Sequence, residues 1–275
     1  MKRKILVTGG TGFIGRNIIP LLQSRYDVIS PGRSDLDLLD HIAVREYLAK
    51  EWYDAVIHLA NPTGLSIIDK SDGFFERTLR VFASLERCSS QYGKMIYIGS
   101  GAEYGKHRDI CSITEDEFGS EIPKDEYGFA RYLMSKIVEN HENIVNLRLF
   151  ACHGPSDPPH KLIPYVINRI RERETILLRQ DVLFDYLFVE DIFHVVCHFI
   201  ENRSAYNTYN LCSGMPLLIS DIADIVRRHM GSDLPIAFEK SGLGFEYTGS
   251  NKRLRVEVPG WEPQAMAESI KKILL

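Results

Sequence analysis

Apolar and polar positions follow two alternating rhythms through roughly the first 150 residues. Short apolar runs indicate buried strands at 4–8, 28–29, 55–59, 95–98 and 146–149. Stretches whose apolar positions recur every three to four residues indicate amphipathic helices near 41–50, 74–91 and 127–140. This alternation predicts an α/β fold with a doubly wound parallel sheet of the Rossmann type, in which ligands bind at the carboxyl ends of the strands.

The pattern becomes mixed beyond residue 155. It predicts helices near 161–173, 191–201, 220–230 and 264–274, and strand runs at 175–179, 183–189 and 209–211. Such a mixture indicates that part of this half returns to the main sheet while the rest forms a smaller C-terminal lobe. We therefore predict one domain at 1–154, joined in part by about 182–213, and a smaller lobe over most of 155–275.

The first strand runs into a glycine-rich turn and then into an apolar helical pattern. Gly9 allows a tight turn, Gly12 leaves the backbone open to a diphosphate, and Gly15 lets the following helix pack closely. Diphosphates bind the free N–H groups at the start of such helices. The flanking strand and helix favour a dinucleotide site over an ordinary turn, so we expect 1–154 to bind a dinucleotide and 155–275 to bind the substrate. The predicted cofactor contacts in this turn are Gly9, Thr11, Gly12, Phe13 and Ile14.

The composition argues against several other classes of protein. A chain of 275 residues, 44% hydrophobic, can bury a large core. Its net charge of -4 offers no basic surface for nucleic acid, and no apolar run reaches the roughly 18 residues of a membrane helix. No signal-peptide pattern precedes the first strand, and the five cysteines lack paired metal-ligand spacing. We expect a cytoplasmic protein with reduced thiols and no metal site.

The end of the second strand bears on the choice of cofactor. NAD sites usually end this strand with an acidic residue that hydrogen-bonds the ribose 2′-OH. Here Arg33 and Ser34 stand in this region, with no carboxylate before Asp35. A guanidinium suits a 2′-phosphate, because it can make paired charge-assisted hydrogen bonds. We favour NADP(H) over NAD(H); the competing interpretation is that Arg33 is an ordinary surface arginine.

Several further motifs occur in a fixed order along the chain. They are Leu36-Asp37-Leu38, Val56-Ile57-His58-Leu59-Ala60, Ser100 with Tyr104-Gly105, Tyr127-Gly128, Arg148 with Gly154-Pro155, the segment 185–192, and Gly260-Trp261-Glu262-Pro263. Together with the glycine-rich turn, this series resembles the extended short-chain dehydrogenase/reductases, specifically the NAD(P)-dependent nucleotide-sugar epimerase/dehydratase/reductase family. The resemblance covers nearly the whole chain. It implies a family but not a substrate.

The resemblance implies a role for each matching residue. Ser100 would hydrogen-bond a hydroxyl or carbonyl group of the substrate, and Tyr127 would exchange a proton with that group. Hydride transfer to a carbonyl carbon requires such a proton donor. A free tyrosine titrates at about 10, so it needs a neighbouring cation to act at neutral pH. The rest of the dinucleotide, beyond its diphosphate, would lie against Asp37, Leu38, Leu59 and Ala60.

The chain departs from the family pattern Tyr-x-x-x-Lys, because Arg131 stands four residues after Tyr127. Tyr132 and Lys136 form a second, literal match. On a helix with about 100° per residue, Arg131 lies about 40° from Tyr127, but Lys136 lies about 180° from it. We therefore assign Tyr127 and Arg131 to catalysis and to cofactor binding, and keep Tyr132 and Lys136, on a solvated-looking face, as the alternative. Arg131 supplies positive charge, although its fork is not equivalent to an ammonium group.

The substrate side also departs from the family pattern. Ala151 stands where an asparagine is common, and Phe184 where an arginine is common. These two differences leave the identity of the sugar nucleotide open. The predicted substrate contacts are Ala102, Glu103, His153, His160 and Lys161. For the last three, the alternative is that they are solvated loop residues.

The sequence thus predicts an NADP(H)-dependent oxidoreductase that acts on a nucleotide-activated sugar. The segment 33–40 resembles the family's reductases of 4-keto-6-deoxy sugar nucleotides more than its epimerases. A 4-epimerase or dehydratase is the alternative within the family, and a non-catalytic dinucleotide-binding or sensor protein, motivated by Arg131, is the alternative from another class. Family members usually dimerise through the helices that here lie near 74–91 and 127–140, so we expect a homodimer without nucleic-acid or membrane partners.

Overall fold

Strands and helices alternate along the chain in the computed structural model, which describes residues 2–61 and 73–275. The strands are β1 (Lys4–Thr8), β2 (Asp27–Ile29), β3 (Tyr53–His58), β4 (Tyr92–Ser100), β5 (Ile110–Ile113), β6 (Ile144–Leu149), β7 (Ala151–His153), β8 (Ile176–Leu178), β9 (Leu183–Phe184), β10 (Tyr186–Phe188), β11 (Thr208–Leu211), β12 (Leu217–Leu218), β13 (Ile236–Phe238) and β14 (Tyr247–Gly249). The helices are α1 (Phe13–Arg25), α2 (His41–Leu48), α3 (Phe74–Glu86), α4 (Glu126–Val138), α5 (Leu162–Arg171), α6 (Asp191–Glu201), α7 (Ile219–His229), α8 (Lys252–Glu257) and α9 (Met266–Leu274). Single 3-10 turns span Ser89–Gln91, Gly101–Tyr104 and Glu115–Glu117.

The central sheet has six strands in the order β11-β6-β4-β3-β1-β2. Every neighbouring pair in it is parallel. The strand order reverses between β1 and β3, so the carboxyl ends of β1, β2 and β3 border one crevice. The predicted α/β fold with a doubly wound parallel sheet is confirmed.

Helices cover both faces of this sheet. Ile5 and Val7 of β1 belong to the core under α1 and α6, whereas Leu6 belongs to the core under α2, α3 and α4. This alternation follows from the period of two along a strand. Because helices cover both faces, the side chains on both faces of each strand are apolar. The strands therefore appear in the sequence as continuous apolar runs.

The second half of the chain builds smaller sheets and a separate core. A four-stranded sheet has the order β12-β9-β14-β5, and β7 pairs with β10 and β8 with β13. Helices α5, α7 and α9 pack on one another around Val166, Ile222 and Ile270. The segment 182–213 is predicted to join the main sheet in part, and its strand β11 forms one edge of that sheet. The division into a cofactor domain and a substrate lobe stays a prediction.

Among the elements that the apolar pattern predicts, a helix and a strand run differ most clearly from the structure. The helix predicted near 74–91 ends at Glu86, and a 3-10 turn leads from it into β4. The single strand run predicted at 183–189 is divided into β9 and β10 at Asp185. The Asp185 carboxylate accepts hydrogen bonds from the Ser213 N (2.6 Å) and hydroxyl (2.7 Å) and from Gly214 N (2.9 Å), which directs the two strands into different sheets.

Candidate active site

The glycine-rich turn joins β1 to α1 at the carboxyl end of the central sheet. Gly9 has a left-handed φ of 75°, and a Cβ there would lie 2.6 Å from the backbone N of Ala60. A Cβ on Gly15 would lie 2.6 Å from the Cα of Gly10. Without a Cβ at these two positions, the backbone of the turn packs directly against the backbone at the end of β3 and at the start of α1.

Helix α1 begins without a side-chain cap. Gly12 stands at its N-cap position, and no acidic residue lies in its first turn. A Cβ on Gly12 would meet Gly9 O at 3.1 Å and no further described atom within 4 Å. Thr11 is exposed here, and Phe13 and Ile14 are half-buried. Uncapped N–H groups on an open glycine surface fit the diphosphate of a dinucleotide.

The other predicted cofactor residues lie beyond the ends of two neighbouring strands: Arg33, Ser34, Asp37 and Leu38 after β2, and Leu59 and Ala60 after β3. Arg33 is 78% exposed, and its guanidinium lies 3.7 Å from the Asp37 carboxylate. The Asp35 carboxylate accepts a hydrogen bond from Gly32 N at 3.1 Å and so holds its own turn. An exposed ion pair of this length contributes little, which leaves Arg33 available to a phosphate.

Ser100 ends β4 and begins the 3-10 turn at Gly101–Tyr104. Its hydroxyl accepts a hydrogen bond from Ala102 N at 3.2 Å, and its own N donates to the Glu103 carboxylate at 2.9 Å. These two bonds fix the backbone N and the side-chain hydroxyl of Ser100 in position.

Helix α4 carries Tyr127 and Arg131 against the same turn. A Cβ on Gly128 would lie 2.9 Å from the Ala102 carbonyl oxygen, so the glycine after Tyr127 permits this close approach. The guanidinium carbon of Arg131 lies 5.3 Å from the centre of the Tyr127 ring. Arg131 is buried and donates a hydrogen bond of 2.5 Å to the Tyr97 hydroxyl. Its positive charge therefore lies beside Tyr127, as the helical spacing predicts.

The alternative pair, Tyr132 and Lys136, faces another part of the molecule. The Tyr132 ring packs on Phe118 with centres 5.0 Å apart, and the Lys136 ammonium lies 4.8 Å from the Phe118 ring. Lys136 also pairs with Glu139 at 3.0 Å. Both residues are half-buried rather than solvated, and Lys136 already has its counter-charge. The geometry favours Tyr127 with Arg131.

A buried polar network lies behind Ser100, and we call its members Glu103, Ser135, Asn146 and Arg148 the rear network. Arg148 donates to the Glu103 carboxylate at 2.6 Å and to the Ser135 hydroxyl at 2.7 Å. Asn146 donates to the same carboxylate at 3.1 Å. Glu103 has no exposed surface. The structure therefore argues against the predicted substrate contact by Glu103, which instead ties the Ser100 turn to β6.

The predicted substrate residues after β6 separate into two kinds. His153 is buried, and its Nε2 lies 2.7 Å from the Ser269 hydroxyl. Burial lowers the pKa of His153 to about 4, so the ring is neutral at physiological pH. Ala102 is equally buried, which leaves little surface on either side chain for a substrate, and both contacts stay predictions. His160 and Lys161 are exposed in the loop before α5 and keep their predicted role.

The sequence reasoning missed two residues beside the Ser100 turn, Tyr247 and Lys106, and one near Lys161, Asp157. The Tyr247 hydroxyl, from β14, lies 2.6 Å from the position of a Cβ on Gly101. The Lys106 ammonium lies 4.4 Å from the centre of the Tyr247 ring and 5.9 Å from that of Phe184, so a cation stands beside the position where the family commonly has arginine. Burial raises the pKa of Asp157 to about 7. Only Lys106 had a signal in the sequence, because it directly follows the Tyr104-Gly105 motif.

Two further observations concern the described ranges 2–61 and 73–275. In them, no three His, Cys, Asp or Glu side chains are grouped so that they could hold a metal ion. None of their helices combines the length and the apolar character needed to cross a membrane. The five cysteines are free thiols, and Cys88, Cys197 and Cys212 are buried.

The fold and the turn at its first strand are those of a dinucleotide-binding protein of the Rossmann type. Residues 5–212 match the NAD dependent epimerase/dehydratase family. The chain belongs to this family, which confirms the resemblance and the enzyme class predicted from the motifs.

Similar proteins include enzymes that modify nucleotide sugars. GDP-6-deoxy-D-talose 4-dehydrogenase from Aggregatibacter actinomycetemcomitans is 26% identical over 243 residues, covering 81% of this chain and 79% of the relative. ADP-L-glycero-D-manno-heptose-6-epimerase from Cupriavidus pinatubonensis is 26% identical over 262 residues, covering 81% and 76%. A solved structure of a GDP-mannoheptose C4 reductase from Campylobacter jejuni with NADP bound has a TM-score of 0.84 at 16% identity, covering 99% of this chain and 97% of the other, a likeness of fold.

Proposed function

We propose that this protein is an NADP(H)-dependent oxidoreductase that reduces the keto group of a 4-keto-6-deoxy sugar carried on a nucleotide. The observation that supports this most is the position of Tyr127, on a helix that abuts the turn begun by Ser100, with Arg131 5.3 Å from its ring. A proton donor, a second hydroxyl and a cation suit the reduction of a carbonyl group.

Each of the three residues has a separate task in this reaction. When bound, NADPH supplies a hydride to the carbonyl carbon of the substrate. Tyr127 donates its phenolic proton to the carbonyl oxygen, and Ser100 donates a hydrogen bond to the same oxygen. The Arg131 guanidinium stabilises the tyrosinate that remains, and a proton from solvent then restores Tyr127. Because Ser100 is held from both sides by the capping bonds, it needs little reorganisation as charge develops.

The choice of NADP(H) over NAD(H) is supported by the surface beyond β2. Arg33 is exposed and only loosely paired, and the first acidic side chain after the strand, Asp35, is engaged by Gly32 N. A 2′-phosphate would meet an exposed guanidinium here, held only by the long ion pair with Asp37. The similar reductase of Campylobacter jejuni carries NADP.

The choice of reduction at the 4-position is supported by two of the similar proteins. The names of the talose dehydrogenase and of the mannoheptose reductase both refer to chemistry at position 4 of a GDP-linked sugar. Epimerisation is the second candidate, because a heptose epimerase matches the chain at the same identity as the dehydrogenase.

Turnover with a panel of nucleotide-linked 4-keto-6-deoxy sugars tests the proposal. We expect one NADPH to be oxidised for each sugar reduced, followed by NADPH absorbance and by mass spectrometry of the product. Conversion of a nucleotide sugar without net loss of NADPH would replace the reductase by an epimerase. Tight dinucleotide binding without any conversion would favour the sensor protein.

We also propose a homodimer formed through α3 and α4. The rings of Phe75 and Phe129 stack with centres 5.7 Å apart and stay partly exposed, whereas Phe74 and Phe82 are buried within the subunit. The apolar surface that α3 and α4 leave for a partner subunit is therefore narrower than the apolar pattern of these helices predicts. Light scattering at micromolar protein should give twice the mass of one chain, and a monomer mass would contradict the dimer.

A further inference from the structure

Lys106 places its ammonium group on a wall of aromatic rings next to the proposed active site. The group lies 4.4 Å from the centre of the Tyr247 ring and 5.9 Å from that of Phe184. The two rings pack on each other with centres 5.0 Å apart. Cation–π contacts hold an ammonium group in place but leave its charge intact.

The charge of Lys106 has no direct counter-ion. Among residues 2–61 and 73–275, no hydrogen bond or ion pair involves its ammonium group. Desolvation lowers the pKa of Lys106, although the charges of Tyr127 and Asp125 act against it. Asp125 uses its carboxylate to accept a hydrogen bond from Gly128 N at 2.8 Å as the cap of α4.

Another desolvated lysine shows how such a charge is ordinarily satisfied. Burial also lowers the pKa of Lys94, but its ammonium donates to the carbonyl oxygens of Phe199 at 2.8 Å and Asn202 at 2.6 Å. Lys106 lacks any acceptor of this kind within the described residues. Lys106 is exposed, so its N–H donors face solvent beside the aromatic rings and are available to an anionic ligand.

Lys161 is a second exposed cation whose charge acts on Lys106. The two lysines come from two loops, one after the turn at Gly101–Tyr104 and one before α5, and lie close enough for the charge of Lys161 to lower the pKa of Lys106. Tyr247 connects Lys106 to the reacting groups, because its hydroxyl lies beside Gly101, the residue after Ser100. Two like charges beside one site favour a ligand that carries more than one negative charge.

We propose that Lys106, together with Lys161, binds the diphosphate group of the substrate. A diphosphate offers several acceptor oxygens, and each ammonium group offers three N–H donors without a fixed plane. The inference rests on the proposed function, because it takes the substrate to be a nucleotide sugar.

Calorimetric titration of the full chain, with NADP⁺ present, tests this role with GDP, UDP, CDP, ADP and dTDP as the probes. We expect the unmutated protein to bind at least one of them, and Lys106→Met to weaken that binding by about ten- to a hundredfold, as for the loss of a charge-assisted contact. Lys106→Arg should retain most of the affinity. Lys161→Met should weaken it in the same direction.

Lys50 provides a matched control. Its ammonium also lies over a tyrosine ring, 5.7 Å from the centre of Tyr47, but at the end of α2. Lys50→Met should leave nucleoside-diphosphate binding unchanged. NADP⁺ affinity and the thermal midpoint of unfolding, measured on every variant, report whether the fold is intact.

The outcomes separate the two levels of the proposal. Equal affinity of Lys106→Met and the unmutated protein for the bound diphosphate overturns the role of Lys106 and leaves the proposed function standing. Absence of binding by the unmutated protein to all five diphosphates overturns both. A parallel loss of NADP⁺ affinity in Lys106→Met but not in Lys50→Met assigns the charge to the cofactor and also overturns the inference.

Discussion

The charged side chains on the two sides of Ser100 differ in burial and in hydrogen bonding. The rear network encloses one carboxylate and one guanidinium with acceptors and donors at 2.6–3.1 Å, and Arg148 and Glu103 are almost without exposed surface. On the other side lies a set that we call the front surface, namely Lys106, Tyr127, Asp157 and Lys161, where the lysines are exposed and Lys106 has no acceptor among the described residues. Both regions are polar, but of the two it is the front surface whose charged groups keep hydrogen-bond donors available to a ligand.

Burial and hydrogen bonding therefore separate structural from ligand-binding polar groups around Ser100. In a low-dielectric interior every charge must be paired and hydrogen-bonded, because an unsatisfied partner is costly. A group that has completed its bonds inside the protein has none left for a substrate. Glu103 is such a group, although it lies next to Tyr104 in a motif that the family shares.

The largest expected effect is on turnover, from Tyr127→Phe in the front surface. Removing a positioned proton donor should lower turnover by about 10²–10⁴-fold, while NADP(H) affinity barely changes. Steady-state kinetics and cofactor titration measure the two effects separately. Tyr132→Phe is the control and should be nearly silent, because its ring packs on Phe118.

Arg131 sharpens the same test. Arg131→Lys should maintain or raise activity, whereas Arg131→Ala should weaken both turnover and cofactor binding. If Tyr132→Phe proves more damaging than Tyr127→Phe, the assignment of the catalytic pair is wrong. If neither tyrosine variant changes a measurable activity, the sensor protein becomes the better proposal.

The next effect is on stability, from Glu103→Ala in the rear network. The variant leaves the Arg148 guanidinium buried without its carboxylate, which should lower the free energy of unfolding by about 3–5 kcal/mol. Chemical denaturation measures this loss. Glu139→Ala, which breaks the Lys136 pair on a partly exposed face, is the control and should cost less than about 1 kcal/mol. Similar losses in both variants would contradict the distinction between the two regions.

The interior and the front surface should also respond to pH in opposite directions. Burial lowers the pKa of His58 to about 3 and of His153 to about 4, from an ordinary 6.5, so the unfolded chain binds more protons below pH 6.5. Their contribution to stability is therefore lost as pH falls from about 6.5 towards 4, by about 1.4 kcal/mol per histidine and pH unit. Burial raises the pKa of Asp157 to about 7 from 3.8, so its contribution is lost as pH rises through 7.

Urea unfolding of three proteins between pH 4 and 7.5 checks these signs. Relative to the unmutated chain, His153→Gln should flatten the loss of stability on the acid side. Asp157→Asn should steepen it, because the opposing contribution is gone. Identical pH profiles for all three proteins would show that neither group titrates differently in the folded state.

The smallest expected effect concerns Arg33, an exposed cation of the cofactor side. Arg33→Ala should weaken NADP(H) binding by about 1.5–3 kcal/mol, or ten- to a hundredfold, and leave NAD(H) binding nearly unchanged. Competition between the two cofactors in fluorescence titration measures the preference. The interpretation of Arg33 as a phosphate ligand is wrong if the unmutated protein binds both cofactors equally.

Features that depend on local spacing could be predicted from the amino-acid pattern. Apolar runs predicted the strands of the central sheet, because a parallel sheet covered on both faces needs apolar side chains on both. The order of strand, glycine-rich turn and helix predicted the dinucleotide site, and the spacing of Tyr127 and Arg131 predicted that they share a helical face. Each of these properties arises within about ten residues or within one period of a helix or strand.

Which polar residues are available to a ligand depends on the packing of segments that are distant in the sequence. Glu103 meets Arg148 across 45 residues of sequence, and His153 meets Ser269 across 116, so their burial depends on the packing of distant segments. Lys106 meets Tyr247 only because β14 pairs with β5. Burial and hydrogen-bond satisfaction are properties of all the atoms around a group, and a motif names only its neighbours along the chain.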